Sequence, residues 1–350
     1  MLKSSGLDLP DLFADPFLEH GQRLRREPVY ALGARFTFES NDERLLRLVD
    51  AAYEQLPRHR LGRKTPTLRV VLCALPEARS HRRLEPEGFE MLSGGGLLGG
   101  CTASSCFVTI SAADRAALVG VPVRMLDFPY HTRYEVIEFA AFTLAVRVQG
   151  LVPLHAACVS VGGRAALLMG ESGSGKSTVG LQCLMNGVDF VSEDSAFVEP
   201  TTLRVTGVSN FMHVRSDSLR WVTRAQAATI RESPVIRRRS GVRKFEVDLR
   251  NGDYRLAKAA PRLKSVVFLS PQSAEGPALL QSLSRHELLA RLGALQPYAV
   301  GQAHWKKFAR AVASLGGFEL RRGRHPVESV DALRAMLSSS SSAAGRNGET

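Results

Sequence analysis

The run Gly170-Glu171-Ser172-Gly173-Ser174-Gly175-Lys176-Ser177 follows the pattern G-x-x-x-x-G-K-[ST] in full, and Thr178 continues it. Glycines at these spacings let a backbone curl tightly enough to aim several N–H groups at one phosphate chain. A helix opening near Lys176 turns its positive end toward the same anion. In that setting the Lys176 ammonium reaches the β- and γ-phosphates, and the Ser177 hydroxyl is a ligand for Mg²⁺. An apolar strand ending at Met169 and a helical pattern from Ser177 give the loop the strand–loop–helix context it requires. The chemistry expected here is binding of a nucleoside triphosphate with Mg²⁺.

Phosphoryl transfer also needs an acid to hold the metal and a base for the acceptor hydroxyl. Glu193-Asp194 directly follows the short apolar run Val188–Ser192. If that run is a strand parallel to the phosphate-loop strand, both acids emerge at its carboxyl end, where ligands of α/β sheets bind. The other reading of the pair is a solvated acidic turn. His155 precedes a third apolar run, Ala156–Val161, and on residue type alone a histidine at a strand start reads as structural.

The elements that must position these residues are legible in outline. Ala156–Val161 and Ala165–Met169 flank Gly162-Gly163-Arg164, a hairpin signal. The helix after the loop should end near Asn186-Gly187. Further strands are expected at Ser195–Val198, Leu203–Val208, Phe245–Leu249 and Lys264–Leu269, with amphipathic helices around Trp305–Val312 and from Val327 to about Leu337. Upstream, Ala34, Phe36 and Phe38 alternate as in a half-buried strand. Asn41 or Asp42 should cap a helix carrying Leu45, Leu48, Val49 and Ala52 and ending at Pro57. Leu68–Leu75 and Cys106–Ile110 suit strands, Gly94–Gly100 reads as a permissive loop, and Glu135–Val148 reads as an amphipathic helix. The chain divides near Gly150 into an α+β region, 1–150, without a chemical motif, and a region 151–337 bearing the phosphate loop. Residues 338–350 form a serine-rich tail expected to be disordered.

Composition narrows the classes. The 350 residues are 44% hydrophobic and 23% charged, which excludes global disorder, and no apolar run is long enough to span a bilayer. The first residues lack a secretory core, and five scattered cysteines lack metal-type pairing, so a cytoplasmic protein without a membrane partner is expected. The formal charge of +12 favours anionic partners, with basic runs at Arg23–Arg26, Arg58–Lys64, Arg79–Arg83 and Arg237–Lys244. Aromatics rarely interleave with these runs and no recognition module is present, so a nucleic-acid partner is not expected.

Leu154-His155-Ala156-Ala157, the segment Gly163–Thr178 and Val191-Ser192-Glu193-Asp194-Ser195 together resemble the catalytic domain of HPr kinase/phosphorylase, and more closely the HPr-kinase-related serine kinases. The strong resemblance covers roughly 155–200 and a weaker one runs to about 335. It implies a P-loop kinase domain with a fold like phosphoenolpyruvate carboxykinase, preceded here by a smaller α+β region. It further implies that His155 lines the active site, that Gly170, Glu171, Ser172, Gly173, Ser174, Gly175, Lys176, Ser177 and Thr178 bind ATP, and that Glu193 and Asp194 supply a Mg²⁺ ligand and the base. In the weaker part, Arg215 and Lys244 fall in segments that resemble cation-bearing segments of the family. The glutamate–arginine–glycine signature of the phosphorylase has no counterpart between Val208 and Val242, so HPr itself and reversal by phosphate are not expected.

The expected reaction is therefore transfer of the ATP γ-phosphate to a hydroxyl, serine by preference, of a peptide or small protein. The alternatives are a nucleotide-gated peptide- or protein-binding ATPase without transfer and, less favoured, a nucleic-acid-binding NTPase. Homo-oligomer formation is left open.

Overall fold

A computed structural model describes residues 25–76, 88–102 and 106–339. The expected basic run Arg79–Arg83, the start of the chain and the serine-rich tail from residue 340 lie outside the described residues. The fold is mixed α/β with several sheets. Among the described residues no helix is long and apolar enough to cross a membrane.

The first half is built on seven strands: Arg25–Ala31 (β1), Ala34–Ser40 (β2), Thr67–Leu75 (β3), Glu90–Gly94 (β4), Leu97–Cys101 (β5), Phe107–Ser111 (β6) and Ala116–Pro122 (β7). Their order is β1-β2-β3-β7-β6-β5-β4, with β2, β3 and β7 mutually parallel. Glu43–Tyr53 (α1) connects β2 to β3 and is capped by Asp42, whose carboxylate accepts the Arg44 backbone N–H at 2.8 Å. The helix stops four residues short of Pro57, because Glu54 leaves helical ψ and Gln55 takes a φ of +61°. Gly94–Gly100, expected as a loop, is instead the tip and arms of the β4–β5 hairpin. Gly95 and Gly96, at φ +56° and +83°, form the two-residue turn that such a hairpin needs.

Pro129–His131 (α2), a π-helical stretch Thr132–Ile137 and Glu138–Gln149 (α3) make one helical run. The expected amphipathic pattern is absent from it, because α3 is covered on several sides and buries Glu138, Ala140, Ala141, Thr143, Leu144, Ala145 and Val146. Gly150, at φ +64°, ends α3 where the sequence divides.

The second half begins with Val152–His155 (β8), Ala157–Val161 (β9) and Arg164–Met169 (β10), followed by Lys176–Met185 (α4), Asp189–Ser192 (β11), Ser195–Val198 (β12), Val205–Gly207 (β13) and Phe211–Val214 (β14). It continues with Arg224–Arg231 (α5), Val235–Arg237 (β15), Arg243–Asp248 (β16), Arg262–Ser273 (β17), Leu280–Ser282 (β18), Arg285–Leu295 (α6), Pro297–Val300 (α7), Trp305–Leu315 (α8), Gly317–Arg322 (β19) and Val327–Ser338 (α9). Six of the strands form a sheet in the order β11-β9-β10-β17-β19-β18. β9 is antiparallel to both β10 and β11, so those two run the same way, as do β17 and β19. Four strands thus end at one edge. Alternate residues divide between two cores: Ala157, Val159, Ala166 and Leu168 pack with α4 and α9, while Cys158, Ala165, Leu167 and Met169 pack with α6 and α8. Ser338, expected in the tail, closes α9, and its carbonyl accepts from Arg164 Nη2 at 3.1 Å.

Candidate active site

β10 ends at Met169 and α4 begins at Lys176, so the phosphate-loop sequence forms the turn between them. Gly170, Gly173 and Gly175 take φ of +155°, +82° and +105°, values that only glycine adopts readily. A Cβ on Gly170 would lie 2.6 Å from Ser174 Oγ and 3.2 Å from the Leu269 carbonyl, so the turn closes only without one. Gly175 is the N-cap of α4 and offers no side chain to the helix's first N–H groups. Those donors, with the positive end of the helix dipole, are left for an anion.

The cleft at this edge of the sheet has a volume of about 460 Å³ and is lined by the loop together with His155, Asp194, Arg215, Arg238, Lys244 and the Arg321–Arg324 segment. Eight Lys and Arg side chains line it against three Asp and Glu, a balance suited to an anionic occupant. Lys176 Nζ donates to the Gly170 carbonyl at 2.5 Å and the Glu171 carbonyl at 3.3 Å. Burial draws the Lys176 ammonium below its usual pKa, with Asp194 opposing and Lys244 reinforcing. Arriving phosphate oxygens would therefore meet a poorly solvated cation that exchanges carbonyls for anions.

β11 delivers Glu193-Asp194 to the same edge, which meets the condition set by the sequence. The two acids then diverge. Glu193 is 6% exposed; its Oε2 accepts from the His213 backbone N–H at 2.9 Å and pairs with His213 Nδ1 at 2.8 Å. Burial pushes its carboxyl up, but His213 and Lys244 overcome that and hold it well below the usual range. His213 Nε2 meets Glu246 Oε1 at 3.1 Å, and two carboxylates against one buried ring raise the imidazole's pKa despite burial. Ser177 Oγ donates to Glu193 Oε1 at 3.3 Å, and Lys244 Nζ is 3.8 Å from the same oxygen.

Asp194 is more open, with its side chain 23% exposed to the cleft. Its Oδ1 is 3.2 Å from His155 Nδ1, its Oδ2 accepts from Tyr134 Oη at 3.4 Å, and Arg238 Nη1 lies 3.6 Å from Oδ2. His155 reaches it because β8 pairs with β12 and sets His155 opposite Ser195. Gln296 fixes the His155 backbone by accepting its N–H at 2.8 Å and donating to its carbonyl at 3.1 Å.

The structure thus gathers His155, the loop, Glu193, Asp194 and Lys244. Arg215 stands at the rim, half-exposed and paired with Asp217 at 3.1 Å. The hydroxyl of Ser177 and the carboxylates beside it are the hard oxygen donors that Mg²⁺ accepts alongside phosphate and water. Among the described residues no group of three or more His, Cys, Asp or Glu forms a cage for a metal ion. Sequence reasoning missed Arg238, His213, Glu246, Gln296 and Tyr134. Arg238 was visible only as part of a basic run. The other four carry no local signal, since they join the site through tertiary contacts. No protein-family model matches the chain, and no curated protein matches it.

Proposed function

We propose that this protein is an ATP-dependent phosphotransferase that moves the γ-phosphate to a hydroxyl, serine by preference, of a peptide or small protein, using a P-loop kinase fold of the HPr kinase type. The observation that carries the reading is the juxtaposition of a complete phosphate loop with Asp194, which faces the same cleft and is oriented by His155 at 3.2 Å. A protein that only binds nucleotide needs a carboxylate for Mg²⁺, which Glu193 could supply, but has no need of a second one, Asp194, partly exposed and placed to take a proton.

Asp194 would take the acceptor proton as the hydroxyl oxygen bonds to the γ-phosphorus and the bond to the β–γ bridging oxygen breaks, releasing ADP. His155 Nδ1 holds one oxygen of that carboxylate and leaves the other toward Tyr134 and Arg238. Lys176 and the first N–H groups of α4 hold the donor phosphates, and Arg238 and Lys244 face the charge that spreads over the transferring group. Ser177, Glu193 and Asp194 would hold Mg²⁺, which supplies neutralisation of phosphate charge when bound.

The reading is tested with γ-radiolabelled ATP, a degenerate library of serine peptides, and water as competing acceptor. Asp194→Asn keeps size and hydrogen bonding but accepts no proton. It should cut transfer by at least about 10²-fold, or about 2.7 kcal/mol of barrier, with ATP affinity little changed provided that Ser177 and Glu193 hold the Mg²⁺. Lys176→Ala should lose affinity as well. Label that stays on ATP with every acceptor, while ATP binds tightly, would make the chain a nucleotide-gated binder.

A further inference from the structure

We infer that the π-helical turn Thr132–Ile137 of the first half supports the acid face of the cleft, with Tyr134 as the positioning residue of Asp194; the inference rests on the phosphotransfer reading above.

Among the described residues three side chains meet the Asp194 carboxylate: His155 and Arg238 come from the second half and Tyr134 comes from the first. The Tyr134 ring is held on two sides. It stacks on Tyr130 with centroids 5.6 Å apart and planes 11° apart, and it meets His213 edge-on at 5.9 Å. Burial and the negative charge of Asp194 push the phenol well above its usual pKa, so the hydroxyl remains a donor at any working pH.

The turn itself is anchored from beneath. Arg133 lies with its guanidinium 4.1 Å from the Phe211 ring centroid and is hydrogen-bonded to Glu246. Glu246 meets His213, His213 meets Glu193, and Glu193 meets Ser177 of the phosphate loop. Along this buried row each carboxylate has a hydrogen-bond donor against it, the condition under which buried ions persist. A π-turn inserts one extra residue per turn and so re-aims side chains that an α-helix would direct elsewhere. Here it sends Arg133 and Tyr134 to the second half. The first half therefore reaches both acids of the site, one directly and one through Glu246 and His213.

Tyr134→Phe tests the inference in the full chain, because it keeps the ring contacts and removes only the hydroxyl. With γ-radiolabelled ATP, and water and the serine-peptide library as acceptors, kcat should fall about tenfold, the effect of losing one hydrogen bond to a charged group. KM for Mg·ATP should stay within about twofold and the melting temperature should be unchanged. Tyr130→Phe, whose hydroxyl makes no hydrogen bond to Asp194, should behave as wild type. Wild-type kcat for Tyr134→Phe beside a defective Asp194→Asn would overturn the inference and leave the phosphotransfer reading standing. A fall in kcat matched by lost nucleotide affinity or a lower melting temperature would show a packing role and overturn it too. Full turnover by Asp194→Asn, or none by wild type, would remove the reading and the inference with it.

Discussion

Arg133 is one cation placed between two buried carboxylates, and it serves them unequally. Its Nη2 is committed to Glu246, while its Nε stands 3.4 Å from Glu138 without a hydrogen-bond partner. Burial therefore dominates at Glu138 and pushes its carboxyl up from 4.5 to about 7, against the opposing pull of Arg133 and His213. The folded chain keeps this proton where the unfolded chain has lost it, so the stabilisation is fully present below about 4.5 and is lost as pH rises toward 7. Each pH step across that window costs about 1.4 kcal/mol. Glu138→Gln carries the equivalent of the proton at every pH, so denaturant melts should show stability falling less steeply from pH 5 to pH 7 than in wild type. Parallel wild-type and variant profiles would contradict the assignment. At this scale the sequence was most legible where type and spacing act locally. The loop residues and the acids at a strand end could be named, whereas Arg133, Tyr134 and Glu138 acquire their chemistry from residues up to 113 positions away.

The element on which the site depends most is the turn from β10 to α4, and its sharpest constraint lies at Gly170. Any side chain there meets the Leu269 carbonyl of the neighbouring parallel strand, which cannot move without breaking the β10–β17 register. Gly173 also has a positive φ but faces open space. Gly170→Ala should accordingly cost more than Gly173→Ala: about 1–3 kcal/mol from strain and overpacking against roughly 1 kcal/mol. Calorimetry should show ATP affinity falling further for Gly170→Ala; equal losses would mean that the turn adapts. β9 to β13, β16, β17 and the helices α4, α8 and α9 were readable because their apolar runs and turn glycines agree with their final burial, whereas β8, β14, β15, β18 and β19 were not expected. The β4–β5 hairpin was not, since five glycines between Gly94 and Gly100 hide strand character until Gly95-Gly96 is seen as its turn. The π-turn was likewise invisible, because its residues carry a helical pattern and only packing against the second half selects the wider turn.

Across the whole molecule the two halves distinguished in the sequence share more than a linker. Phe197 and Ala260 of the second half are buried in the core built by the first, where Phe197 meets Phe142 edge-on at 5.1 Å. Asn210, fully buried, donates to the carbonyls of Ala52 and Glu54 at the end of α1, at 3.0 and 2.9 Å. His59 spans the same seam with Thr206 Oγ1 at 2.9 Å and the Ala257 carbonyl at 2.8 Å. Opening the seam would break these hydrogen bonds and expose the apolar surface around Phe197 and Ala260 to water, so partial opening is costly and the chain should unfold as one unit. Phe38 offers the cleanest test, because it is fully buried in the first half, stacks on Phe36 and Tyr53, and lies far in sequence from either tryptophan. Phe38→Ala should destabilise by about 3–5 kcal/mol through lost burial and a residual cavity. Trp221 and Trp305, the chain's two tryptophans, both belong to the second half and report on it alone. In denaturant melts of Phe38→Ala, the tryptophan fluorescence midpoint should fall by the same amount as the circular dichroism midpoint. A fluorescence midpoint left at the wild-type value while circular dichroism shows an earlier transition would mean that the first half melts alone. In that case the support it gives to Asp194 through Tyr134 would be lost before the phosphate loop unfolds, and turnover should disappear at the earlier transition while ATP binding survives to the later one.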